Sequence, residues 1–205
     1  MAAILAKKIG MTQLFMEDGR VERVTVLEAG PCPVTTIRNQ ERDGYSAVQL
    51  AFSRTKEKHL SKPELGHLMK AGASAHKTLV EFRDEADGLK MGDTVTVQAF
   101  SAGDKVKISG ISKGKGFQGT IKRHNFKRGP KSHGSHNYRA PGSIGASAWP
   151  ARVPKGLRGP GHMGAARVTQ RGLTVVEVIS GQNLLLVRGA APGAKGGIVE
   201  VRTDA

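Results

Sequence analysis

Apolar and polar residues alternate in short stretches along the first half of the chain. A period of two is what a half-buried strand requires. Residues 21–27 (V-E-R-V-T-V-L), 46–52 (S-A-V-Q-L-A-F) and 94–100 (T-V-T-V-Q-A-F) carry it and are rich in β-branched side chains. Residues 34–38 and 79–83 are further apolar runs of strand length. Residues 105–111 (K-V-K-I-S-G-I) alternate basic with apolar, which predicts a strand with one buried face. Near the start, runs at 3–9 and 12–15 flank Gly10 and predict a hairpin or bend there. Asp18-Gly19 and Asp43-Gly44 are turn signals. Only residues 62–71 (K-P-E-L-G-H-L-M-K-A) read as helix, with Pro63 in the first turn and Gly72 as the stop. Three more β segments, at 172–180, 184–188 and 197–202, follow near the C-terminus with Gly-rich turns between them.

Between about residues 112 and 168 the periodicity stops. Phe117, Ile121, Phe126, Tyr138, Ile144, Trp149, Val153, Leu157 and Met163 stand isolated, and no helix or strand face collects them. Gly129-Pro130, Pro141-Gly142 and Gly159-Pro160 punctuate the stretch. A loop of this length without structure of its own is abnormal in a compact domain. Its composition cannot build a core, so alone in water it is expected to be largely disordered. The expected fold class is mainly β. Residues 1–111 plus 168–205 form a globular body with a helical insertion near 60–75, and residues 112–167 form a long irregular basic loop.

Charge sharpens this division. The 205 residues carry 32 Lys+Arg against 17 Asp+Glu, a net charge of +15. No acid occurs between Asp104 and Glu177, and the 72 residues from 105 to 176 hold 15 basic ones. The rest of the chain is balanced, so the excess is local. A local excess of this size points to a polyanionic partner. Lys and Arg would neutralise phosphates, and the interleaved Phe117, Phe126, Tyr138 and Trp149 could stack on splayed bases. Aromatics are only 4% of the chain, which favours recognition of shape and backbone over a stacking platform. Doubled back on itself, the loop could reach on the order of 80 Å.

Other chemistry is excluded or weak. Gly114-Lys-Gly-Phe-Gln-Gly119 matches G-x-G-x-x-G, but a dinucleotide site needs an acid about 20 residues on, and none occurs before Glu177. A turn that lets backbone N–H groups approach phosphates fits better. His124, His133, His136 and His162 lie among Lys and Arg with no Cys or acid nearby, so no metal is expected. Cys32, the single cysteine, bars a disulfide framework and reads as a small buried hydrophobe between Pro31 and Pro33. No cofactor, small-molecule substrate or catalysis is expected. No apolar run approaches the ~18 residues of a membrane span, and the run before Lys7 is too short for a signal peptide. A soluble protein of a reducing compartment is the default.

An ordered series of motifs runs through the chain. It begins with K-I-G-M-T at 8–12, E-A-G-P-C at 28–32 and D-G-Y-S-A-V-Q at 43–49. It continues with Gly66-His67, K-A-G at 70–72, K-G-K-G-F at 113–117, K-R-H at 122–124 and Phe126. Then come H-G-S at 133–135, R-A-P-G-S-I-G at 139–145, G-H-M-G at 161–164, N-L-L-L-V at 183–187, Gly189-Ala190 and Pro192-Gly193. In this the chain resembles the large-subunit ribosomal protein family L-three in its bacterial form, nearly end to end.

The resemblance implies a β-barrel body of the translation-protein type and a loop that runs towards the peptidyl-transferase centre. It implies a structural constituent of the ribosome in the cytoplasm that binds large-subunit (23S) rRNA near its 3′ end. Early assembly and contacts with neighbouring large-subunit proteins are also implied, with no enzymatic role. The motif matches place Lys113, Lys115, Phe117, Lys122, Arg123, His124, His133, Ser135, Arg139, Ser143 and His162 against RNA. Charge adds Lys127, Arg128, Lys131, Arg152, Lys155, Arg158 and Arg167. The tip departs from the family pattern: A-S-A-W at 146–149 stands where relatives often carry Gln-Asn-Gln-Thr, so a glutamine methylated in some of them has no counterpart. Trp149 is either a packing contact inside the loop or a planar anchor on a base. The alternatives are a free RNA-binding module or RNA chaperone, and a nucleotide-dependent enzyme built on the glycine motif.

Overall fold

The computed structural model describes residues 2–83 and 88–204. The chain runs through β1 (Ala3–Phe15), β2 (Val21–Ala29), β3 (Cys32–Arg38), α1 (Gln40–Asp43), β4 (Ala47–Arg54), α2 (Lys62–Lys70) and β5 (His76–Phe82). It continues through β6 (Thr94–Val95), β7 (Lys105–Ile111), β8 (Phe117–Gln118), α3 (Thr120–His124), β9 (Gly161–His162), β10 (Arg167–Ile179), β11 (Leu184–Arg188) and β12 (Ile198–Thr203). The fold is mainly β.

Six strands close a barrel in the order β1, β12, β7, β10, β11, β2, with every neighbouring pair antiparallel. Closure leaves no exposed edge along the paired part of the barrel. Ile4, Leu5, Leu27, Ile108, Leu185 and Val201 are fully buried in it. Each such side chain contributes about 1.5–3 kcal/mol by leaving water. A second antiparallel sheet, β5-β4-β3-β6, shares this core through Val34, Leu50 and Phe82. Helix α2 follows β4 and buries Leu68. Its first turn is held by Glu64, whose carboxylate accepts the Ser61 N–H at 2.9 Å and the Ser61 hydroxyl at 2.8 Å. These bonds hold the Glu64 carboxyl below its ordinary pKa. Cys32 is fully buried, and its desolvation pushes the thiol up to about 12.

Two expectations change. At Gly10 the bend holds and the hairpin does not: β1 is one strand of 13 residues whose register with β2 shifts between Lys8 and Gly10. The extra residue bends the strand, and Lys8, two positions from fully buried Ala6, faces inward by the ordinary alternation. Its ammonium donates to the carbonyls of Ala191 at 2.6 Å and Gly193 at 3.2 Å. Residues 94–100 are not one strand either. Only Thr94–Val95 pairs, and Val97–Ala99 form a 3-10 turn. Val97 and Phe100 are both buried. A strand would send residues three apart to opposite faces, whereas a 3-10 turn brings them to one side.

The chain divides into two compact units, Met1–Ile111 with Arg167–Ala205, and Ser112–Ala166. This redistributes the charge. Ser112–Ala166 holds 11 of the 32 basic residues and no acid, while the barrel unit holds the other 21 against all 17 acids. Lys105, Lys107, Arg167 and Arg171 belong to barrel strands β7 and β10, so the basic unit is +11 and the barrel unit +4.

Candidate nucleic-acid interface

The basic unit leaves the barrel between two paired neighbours. Ile111 ends β7, Arg167 begins β10, and the two face each other in register. The pairing carries on inside the unit by isolated bonds. The Ser112 N–H donates to the Ala166 carbonyl at 2.9 Å, Lys115 N–H to Met163 O at 2.9 Å, and Met163 N–H to Gly116 O at 3.0 Å. The short ribbon β8–β9 follows, with Phe117 opposite His162 and Gln118 opposite Gly161. Gly164 is the tight point of this stem. Its φ is +75°, and any Cβ there would run into the carbonyl of Lys113. No side chain longer than hydrogen fits.

The glycine motif ends on α3, a five-residue helix closed by Asn125 in the left-handed conformation. One carbonyl, that of Gly159, receives two bonds from this helix: Arg123 Nη1 at 2.8 Å and His124 Nε2 at 3.1 Å. A second clamp follows along the chain. The Gly129 N–H donates to Tyr138 O at 3.1 Å, and Arg128 Nη1 to the Tyr138 hydroxyl at 3.3 Å. Lys131 Nζ stands 5.5 Å over the Tyr138 ring, a cation–π distance. A Cβ on Gly129 would collide with the carbonyl of Asn137, so that crossing also needs glycine. Inside this second clamp, between Gly129 and Tyr138, His133 and Gly134 turn the chain with φ of 60° and 73°. The stretch from residue 139 to 158 is exposed throughout.

The proposed contact residues therefore fall into groups. Lys113, Lys115, Lys122, Lys127, Arg139, Arg152, Lys155 and Arg158 are exposed, as are His133, Ser143 and His162. Phe117 and Trp149 are 75% and 87% exposed, so Trp149 is not a packing contact inside the loop. Arg123 and His124 are half-buried, and each gives one donor to the Gly159 carbonyl. Arg128 and Lys131 serve Tyr138 while remaining exposed. Half-buried Ser135 accepts the Asn137 N–H at 3.4 Å. Arg167 lies on the barrel and pairs with Glu200 at 2.5 Å. The sequence reading missed Gly159, Gly164 and Gly129 as organising points. Their signal was the glycine itself, lost among the others in the stretch. Among the described residues no three of His, Cys, Asp and Glu come together as a metal site.

A closed barrel whose chain also carries an acid-free unit with exposed cations is matched by known proteins. The ribosomal protein L3 family model matches residues 46–184. The chain belongs to this family. It is 51% identical over 203 residues to the large ribosomal subunit protein uL3 of Finegoldia magna, covering 98% of this chain and 97% of that one. Against the uL3 of Desulforapulum autotrophicum the identity is 48% over 200 residues, covering 97% of both chains. The uL3 of Synechococcus elongatus is 51% identical over 199 residues, covering 97% of this chain and 93% of its own. Family membership makes the chain a ribosomal protein. The match spans both units, so the basic arm belongs to the family pattern as much as the barrel does.

Proposed function

We propose that the chain is a structural constituent of the large ribosomal subunit in the cytoplasm. The unit Ser112–Ala166 inserts into folded 23S rRNA near its 3′ end and extends towards the peptidyl-transferase centre, and the protein joins early in assembly. It acts by binding and shaping RNA, not by catalysis. The observation that carries this reading is the unit itself: 11 cations and no acid between Ser112 and Ala166. Phosphates can condense on such an arm without like-charge repulsion, and its Gly-Pro segments let it thread narrow crevices. The names of the relatives add the large subunit as the setting.

Binding to rRNA fragments from the 3′ region is the test. Affinity should fall steeply with salt, each neutralised phosphate adding ~0.7–0.9 to the log–log slope. A specific site holds its advantage over mixed tRNA at roughly 150–200 mM salt, a range in which non-specific contacts weaken strongly. Equal affinity for both RNAs there would overturn the specific reading. A chain found on a sucrose gradient mostly outside ribosomes would favour a free RNA chaperone instead.

A further inference from the structure

The first two strands outrun the barrel. Strand β12 stops pairing with β1 at Lys7, and β11 stops pairing with β2 at Val24. Yet β1 and β2 stay paired out to Phe15 and Val21. Residues 9–23 thus form a two-stranded finger, to which no third strand is added among the described residues. Facing and alternate residues of an antiparallel pair share a side. The row that includes Leu27 and Thr25, both fully buried, therefore runs on through Arg23 and Val21 of β2, with Met11 opposite Thr25, Gln13 opposite Arg23 and Phe15 opposite Val21. Here the row is open to solvent: Met11 is 53% exposed, Phe15 75% and Val21 50%. A lone hairpin is marginal in water, and an apolar face of this kind marks an interaction site.

Charge decides what the partner is. Residues 9–23 hold Glu17, Asp18 and Glu22 against Arg20 and Arg23, a net charge of −1 in a chain of +15. Arg20 is paired with Asp18 at 3.1 Å, and nearby Arg188 with Glu22 at 3.6 Å. RNA binding is driven by cations that displace counterions from phosphates. The finger lacks that excess, whereas Ser112–Ala166, with its exposed Phe117 and Trp149, has it in full. Beyond Lys8 the outer edge of β1 also offers backbone groups for an added strand.

We propose that the finger of residues 9–23 is a docking surface for a protein. The partner lays apolar side chains over Met11, Phe15 and Val21 and basic ones against Glu17. Given the ribosomal role proposed above, on which the setting rests, it is a neighbouring protein of the large subunit.

Two measurements on intact subunits test this. In the first, the wild-type chain is oxidised with hydroxyl radicals, free and assembled. Oxidation of Met11 should fall several-fold on assembly, and equal oxidation would overturn the proposal. In the second, a benzophenone amino acid replaces Phe15 in one chain and Trp149 in another. The adduct from position 15 should survive nuclease and yield a cross-linked peptide from a second protein. A nuclease-sensitive adduct, or none, would overturn the docking surface. Position 149 should yield an RNA adduct. Its failure would count against the RNA reading while leaving the finger result standing. If the chain never sediments with subunits, a large-subunit partner is overturned as well.

Discussion

Arg123 and Lys155 look alike in a count of cations but do different work. Arg123 bonds the Gly159 carbonyl at 2.8 Å, whereas Lys155 is exposed. Arg123 is thus a positioning residue, and its replacement leaves a half-buried carbonyl with the one bond from His124. Lys155→Ala should lower the salt slope of RNA binding by roughly 0.7–0.9, one phosphate's share. Arg123→Ala should leave that slope unchanged while weakening binding and speeding proteolysis near Gly159. Equal slope losses in the two variants would make Arg123 a phosphate ligand instead. The residue scale was only partly legible in the sequence. Motif and charge marked both residues as RNA contacts, because nothing in a linear pattern tells a donor aimed at solvent from one aimed at a carbonyl 36 positions on.

Elements were legible where burial imposes a period. β2, β4, β7 and α2 stand close to where their patterns put them. Thr94–Phe100 misled because its alternation imitates a strand, while the spacing of Val97 and Phe100 belongs to a turn. The stem and clamps of the basic unit had no periodic signal, since they are held by single bonds to glycine carbonyls and amides. Element ends also set the response to acid. Ser61 holds Glu64 below its ordinary pKa. At Asp43, burial raises the pKa, but the bonds from Arg38, the Asn39 N–H and Arg42 outweigh it and the net shift is downward. Groups with depressed folded-state values stabilise the fold above the usual carboxylate range, near 4. That contribution is lost as pH falls through the folded values. The melting temperature should therefore drop as pH falls below about 4, and Glu64→Gln should flatten part of that limb. An unchanged limb in this variant would remove Glu64 from the account.

At the scale of the whole molecule, the sequence pointed to a body with a basic excursion. It overstated the excursion's charge, because four of the cations in the acid-free stretch lie on barrel strands. Deleting residues 143–155 should leave the barrel's cooperative melting transition in place, since the barrel core draws on none of them. Loss of the transition in calorimetry would show a dependence that the core does not reveal. In the free chain, trypsin should cut first at Arg139, Arg152, Lys155 and Arg158, and later at Lys113 and Lys115, where the stem is bonded. Assembly into the subunit should protect all six.

Ile111 and Arg167 leave the barrel side by side, already in register. To the barrel, the 55 residues between them are one long turn. Closing a turn costs only about 0.6 kcal/mol more for each doubling of its length. The arm can therefore be lengthened, shortened or rewritten at little expense to the fold that carries it. A lineage can retune such an arm without having to solve the barrel again.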